Sequence, residues 1–184
     1  MFALVENGVV VKHPYSATDL KRAHKEISFP KNPSDAQLAD WNVLRVFNST
    51  PPTFNALTEV LEETTPIFTD NRWTQVWSVR AATAEEVAQR QQQLQDQIIT
   101  ATQQRLDDFA SERGYDGILS ACTYASSAVP KFQTEGQYCA NSRDDTWSTL
   151  YVILAEVQAG TRAVPTGFDD IEADLPTLSW PAES

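Results

Sequence analysis

From Thr83 to Arg113 the chain contains neither glycine nor proline. Thr83-Ala84-Glu85-Glu86 opens this run as a capping box, with Thr at the N-cap and Glu at N3. Gly114 supplies the left-handed stop. The run therefore predicts one helix over 84–113, about 45 Å long at about 1.5 Å per residue. Its first half is rich in glutamine: Gln89, Gln91, Gln92, Gln93, Gln95 and Gln97. Its apolar residues are sparse: Val87, Leu94, Ile98, Ile99 and Ala101, then Leu106, Phe109 and Ala110. Spacings of 7, 4 and 3 suit a narrow heptad stripe better than a broad core face. The eight-residue step from Ile98 to Leu106 reads as a stutter. Such a stripe either meets copies of itself in a coiled coil or packs on another helix of the same chain. Self-association, with a trimer favoured, is the expectation taken forward.

A second long helix is expected at about 132–159, with Gly136 a weak point near its start and Pro130 a break before it. Trp147, Leu150, Tyr151, Leu154 and Val157 form its core stripe, expected to pack on Leu106, Phe109, Ile118, Leu119 and Cys122. Thr166 can cap a last short helix to about Asp174, and residues 175–181 read as extended.

Before Thr83 the pattern differs. Asn7-Gly8 between apolar runs predicts a hairpin of strands 2–6 and 9–13, ended by Pro14. Ser16 or Thr18 can cap a short helix to about His24, and Ser34 another to about Trp41. Residues 42–47 read as a strand. Residues 57–63 and 66–69 read as separate extended segments, and 71–80, after an Asp70-Asn71 turn, as a confident strand. The fold expected is α+β: an N-terminal domain over 1–82 with hairpins and short helices, then a helical domain over 83–184.

Charge limits the function classes. The chain has 184 residues, 14 Lys+Arg against 25 Asp+Glu, and a net charge of −11. Residues 1–82 carry 8 Lys/Arg and 9 Asp/Glu, whereas 83–184 carry 6 and 16. This balance disfavours sequence-independent binding to nucleic acid or to an anionic membrane. No apolar run approaches the length of a membrane span, and the N-terminus lacks the pattern of an export signal. The expectation is a soluble protein held in the cytosol or packaged there into something larger.

Catalytic motifs are not in view. His13 and His24 belong to no metal-ligand or HExxH pattern. Cys122 and Cys139, 17 apart, read as reduced and buried, with a disulfide between them the alternative. The pairs Asp107-Asp108, Asp144-Asp145 and Asp169-Asp170 read as solvated helix carboxylates. No enzyme activity, cofactor or metal is expected. Trp73, Gln75 and Trp77 would share one strand face, so a glycan platform is the alternative to a core role for them.

Several segments resemble small tail proteins of tailed bacteriophages. They are the opening Phe2-Ala3-Leu4-Val5-Glu6-Asn7-Gly8, then His13-Pro14-Tyr15-Ser16, Ile27-Ser28-Phe29-Pro30 and Trp73-Thr74-Gln75-Val76-Trp77. Arg113-Gly114-Tyr115-Asp116-Gly117-Ile118, Phe132-Gln133-Thr134-Glu135-Gly136-Gln137 and Leu154-Ala155-Glu156-Val157 are similar to segments of tail-fibre and fibre-associated proteins. Leu178-Ser179-Trp180-Pro181 is similar to the Trp-Pro ending of tail-fibre assembly chaperones. The resemblance implies a non-enzymatic structural or assembly role, in the virion tail or in the host cytoplasm during assembly. It also implies a tail-fibre or baseplate protein of the same phage as partner. The interaction residues expected are Val87, Leu94 and Ile98 on the long helix and Trp180 near the end.

Overall fold

The computed structural model describes residues 1–182. The chain is α+β and divides into two compact units, residues 1–87 and 88–184. The boundary lies in the first turn of the long helix, a few residues beyond the change of period at Thr83.

The first unit holds five strands: β1 (Phe2–Glu6), β2 (Val9–Tyr15), β3 (Val43–Phe47), β4 (Glu59–Thr69) and β5 (Arg72–Ala81). Two short helices, α1 (Ala17–Ala23) and α2 (Asp35–Ala39), lie between β2 and β3. Ser16 and Ser34 cap them, each in a complete capping box. The sheet order is β2-β1-β3-β5-β4, antiparallel except for the β3–β5 pair. Positive φ at Asn7 and Gly8, and again at Asp70 and Asn71, closes the two hairpins.

Strand alternation fills both faces of the sheet. Ala3, Val5, Val46 and Trp73 form one core. Tyr15, Leu20, Leu38 and Val43 form another, on the face that α1 and α2 cover. The outer strands β2 and β4 also meet: His13 Nε2 lies 2.7 Å from Glu63 Oε1, and His13 Nδ1 lies 3.3 Å from the Phe2 carbonyl. The sheet is therefore curled until its edges touch, which protects edges that would otherwise pair with other chains.

Two expectations need correction here. Pro14 does not end β2, which runs on to Tyr15 as an edge strand, where a missing N–H costs no ladder bond. Residues 59–69 form one strand, not two segments. A register shift between Thr64 and Ile67 absorbs Pro66.

The second unit is built on α3 (Ala84–Ser111) and α5 (Pro130–Gln158), which frame α4 (Ile118–Cys122) and a 3₁₀ turn (Thr123–Ser126). A short α6 (Asp169–Glu172) and an extended arm over 175–181 follow. Pro130 is not a break: it is the first residue of α5, where its fixed φ suits a helix start. Gly136 is not a weak point either. It is buried, and a Cβ there would stand 2.4 Å from the Ala125 nitrogen and 2.5 Å from the Tyr124 carbonyl carbon. Its missing side chain lets α5 approach the main chain of the 3₁₀ turn. Among the described residues, no helix is long and apolar enough to cross a membrane.

Candidate functional site

The aromatic strand face is spent on the fold. Trp73 is 9% exposed and packs with Ala3, Val5 and Val46. Gln75 is 8% exposed; its side-chain oxygen accepts from the Ser49 amide at 3.3 Å, and its carbonyl accepts from the Ser49 hydroxyl at 2.7 Å. Trp77, half-buried, donates its indole N–H to the Ser49 carbonyl at 3.4 Å. These groups clamp the segment after β3 onto β5. A sugar ring needs an accessible aromatic face and accessible amides, and Trp73 and Gln75 are both buried. The platform expected at Trp73, Gln75 and Trp77 is corrected to a core and clamp role.

The stripe of α3 divides in two. Ile98 is 1% exposed and packs inside its own chain with Leu150, Ile153, Ile171 and Leu175. The stripe runs on through Thr102, Leu106, Phe109 and Ala110. Ile98 is thus committed to the core of its own chain, which corrects its assignment as an exposed interface residue. Val87 and Leu94 remain half-buried. In the second half of α5, Thr146, Leu150 and Ile153 are buried, while Tyr151 is 63% exposed. Leu119, expected in the core, is 60% exposed.

Beside Leu94 a cleft of about 410 Å³ opens between the first half of α3 and the last turns of α5. Leu94, Leu154 and Val157 give it apolar surface above the buried Ile98, and Gln91, Gln92, Gln95 and Gln158 give it amides. None of its lining residues is ionisable. That is unusual in a stretch where residues 88–184 hold 6 Lys/Arg against 14 Asp/Glu.

Trp180 lies in an aromatic cradle. Its ring stacks on Phe109 with centroids 4.3 Å apart and planes 12° apart. Tyr115 and Tyr138 stand at 6.2 Å and 6.3 Å. The Arg113 guanidinium sits over the indole at 5.1 Å, a cation–π contact. The indole N–H donates to Glu112 at 3.2 Å, and the Ser179 amide donates to the Tyr138 hydroxyl at 2.8 Å.

Under the cradle lies a charged network that no sequence signal revealed. Glu135 is only 4% exposed, yet Arg113 donates to it at 2.5 Å and the Tyr115 hydroxyl at 2.7 Å. Burial, aided by the bond to Glu135, pushes the Tyr115 hydroxyl well above its usual range. The Cys139 thiol, buried nearby on α5, is pushed up to about 12, chiefly by burial. Cys122 is raised by the same cause, and both cysteines are free. Asp107 is more than a solvated carboxylate: it accepts from the Ile118 amide at 2.8 Å and so caps α4.

Among the described residues, no group of three or more His, Cys, Asp or Glu is placed to hold a metal. The His13 ring is engaged at both nitrogens by Glu63 and by the Phe2 carbonyl, which makes it a clasp between strands. Compared with protein-family models, curated proteins and solved structures, the chain matches none.

Proposed function

We propose that this chain is a non-enzymatic protein working through protein–protein contacts, as a tail-fibre-associated component or fibre assembly chaperone of a tailed bacteriophage. The phage assignment rests on the resemblance of the segments quoted above. The mode of action is supported by one observation, the uncharged cleft beside Leu94. A chain with net charge −11 repels its own copies wherever carboxylates meet. A face of leucine, valine and glutamine carries no such penalty, and glutamine amides pair with one another as donor and acceptor. The occupant that fits is the first half of α3 from a second copy, which brings the same amides and the same Leu94. The assembled form then presents the protein to the fibre. The glycan reading is not carried forward, because Trp73 and Gln75 are committed to the sheet.

Light scattering tests this, on the chain alone and after co-expression with the neighbouring fibre protein. The expected result is an oligomer or an equimolar fibre complex that Leu94→Glu disperses without loss of helical circular dichroism. A monomer that binds no fibre protein overturns the proposal. Presence or absence of the chain in purified particles then separates a virion component from a chaperone.

A further inference from the structure

Residues 175–181 are held as a bound peptide is held. They form neither helix nor strand, and their contacts fall at spaced anchors. Leu175 is buried against Ile98, Leu150, Ile153 and Ile171. The Pro176 carbonyl accepts from Arg105 at 2.8 Å. Leu178 and Trp180 pack on the core around Phe109. The Ser179 amide and the Trp180 indole each donate one directed bond, to Tyr138 and Glu112.

The receiving groups stand on α3, on α5 and in the link after α3, and several of them hold one another as well as the arm. Buried Glu135 holds Arg113 and Tyr115 in place, and Tyr138 also contacts Phe109. An aromatic pocket, one large anchor and a few directed polar bonds are the ingredients of peptide recognition.

We propose that the cradle of Phe109, Arg113, Tyr115 and Tyr138 is a recognition site for a Leu-Ser-Trp-Pro segment. The chain's own arm fills it in cis, and the same arm of a second copy fills it in trans. A second copy is the occupant because the fit of its segment is already displayed: exchange reuses every contact and creates no new surface. The arm's seven residues span about 23 Å when extended. Cis occupancy benefits from an effective concentration of order millimolar, so exchange belongs to copies already held close together. The recognition site itself does not rest on the cleft beside Leu94, whereas exchange in trans rests on copies being held together, as that cleft would hold them.

The probe is a fluorescein-labelled peptide of residues 176–182, read by anisotropy against the full chain. The peptide is expected to bind Trp180→Ala saturably, and wild type at least tenfold more weakly, because the wild-type arm blocks the cradle. Replacing the peptide's Trp by Ala is expected to weaken binding at least tenfold. At chain concentrations of order millimolar, immobilised Trp180→Ala chain is also expected to retain more wild-type chain than immobilised wild-type chain does, and excess peptide to remove the difference. Equal binding of the peptide to both chains, or none to a variant with unchanged circular dichroism, overturns the proposal. So does equal retention on the two immobilised chains, or a difference that excess peptide leaves in place. If Trp180→Ala fails to fold, Trp180→Leu, which keeps apolar volume but loses the stacked indole, takes its place with the same expected results.

Discussion

Gly136→Ala sets two effects of known sign against each other. Alanine is favoured over glycine inside a helix by about 1 kcal/mol. On that ground alone the variant is more stable. Against it stand three main-chain atoms: the Ala125 nitrogen at 2.4 Å from the new Cβ, the Tyr124 carbonyl carbon at 2.5 Å and the Ala121 oxygen at 3.0 Å. Ordinary contact needs more than an ångström of extra room at the first two. No side-chain rotation supplies it, so the turn carrying Tyr124 and Ala125 must lift from α5. That strains the packing of Ala121 and Ile118 against Cys139, Leu106 and Phe109. Overpacking of this kind costs up to about 3 kcal/mol. The expected net is a loss of about 2 kcal/mol once the propensity gain of about 1 kcal/mol is subtracted. With a urea m-value of about 2 kcal/mol/M, the midpoint falls by about 1 M. Near-ultraviolet circular dichroism should follow the aromatic cluster of the second unit, while the first unit's transition stays in place. A midpoint that is unchanged or raised would show that α5 does not approach the turn this closely.

Three further outcomes follow from the buried network and the caps. Arg113→Ala removes the charged partner of a carboxylate that is only 4% exposed, and loss of one partner from a buried pair costs about 3–5 kcal/mol; a urea-denaturation loss below about 0.5 kcal/mol would refute the pairing, since exposed pairs fall in that range. In acid, Glu86 is held down to about 2 by Arg80 first and then by the Thr83 amide, against a usual 4.5. A lowered carboxylate stabilises the folded state fully above 4.5, and that contribution is lost as pH falls through about 2. Glu86→Gln should remove this step from an acid titration of α3 helicity. The free thiols should resist alkylation at pH 8 until urea unfolds the second unit, because burial raises both and lifts Cys139 to about 12. Labelling of native chain as fast as unfolded chain contradicts that burial.

Local backbone chemistry was legible where one residue type decides it. Asn7-Gly8 and Asp70-Asn71 adopt the positive φ that their turns demand. Ser16, Ser34 and Thr83 each receive the N3 amide that a helix leaves orphaned. The prolines misled because their effect depends on place. Pro14 lies on an edge, Pro66 in a bulge and Pro130 at a helix start, and strand order and helix phase decide all three. The parallel β3–β5 pair depends on contacts far apart in the chain, which local pattern does not encode. The cradle was half legible. Trp180 stood out, but Arg113 and Glu135 looked like ordinary loop and helix residues, and Gly136 like a weak point of a helix, until the fold brought them together.

The α3 stripe shows how one polar residue changed the reading of a whole surface. Without Thr102, the step from Ile98 to Leu106 resembled a stutter in a heptad stripe. Thr102 is fully buried, and its hydroxyl donates to the Ile98 carbonyl at 2.8 Å. Threonine can do this on any helix, because its own preceding turn supplies the acceptor. With Thr102 included, the buried positions are 98, 102, 106, 109 and 110, the spacing of a helix packed on its own chain rather than a 3.5-residue seam. The hydroxyl therefore carries no partner-specific role. Thr102→Val deletes a bond whose acceptor keeps its helical amide, so no group is left unpaired, and stability should stay within about 1 kcal/mol of wild type. Thr102→Glu instead buries a carboxylate with no partner and should abolish cooperative unfolding of the second unit. If Thr102→Glu is tolerated, this part of α3 faces water, and the stripe returns to being a surface for other chains.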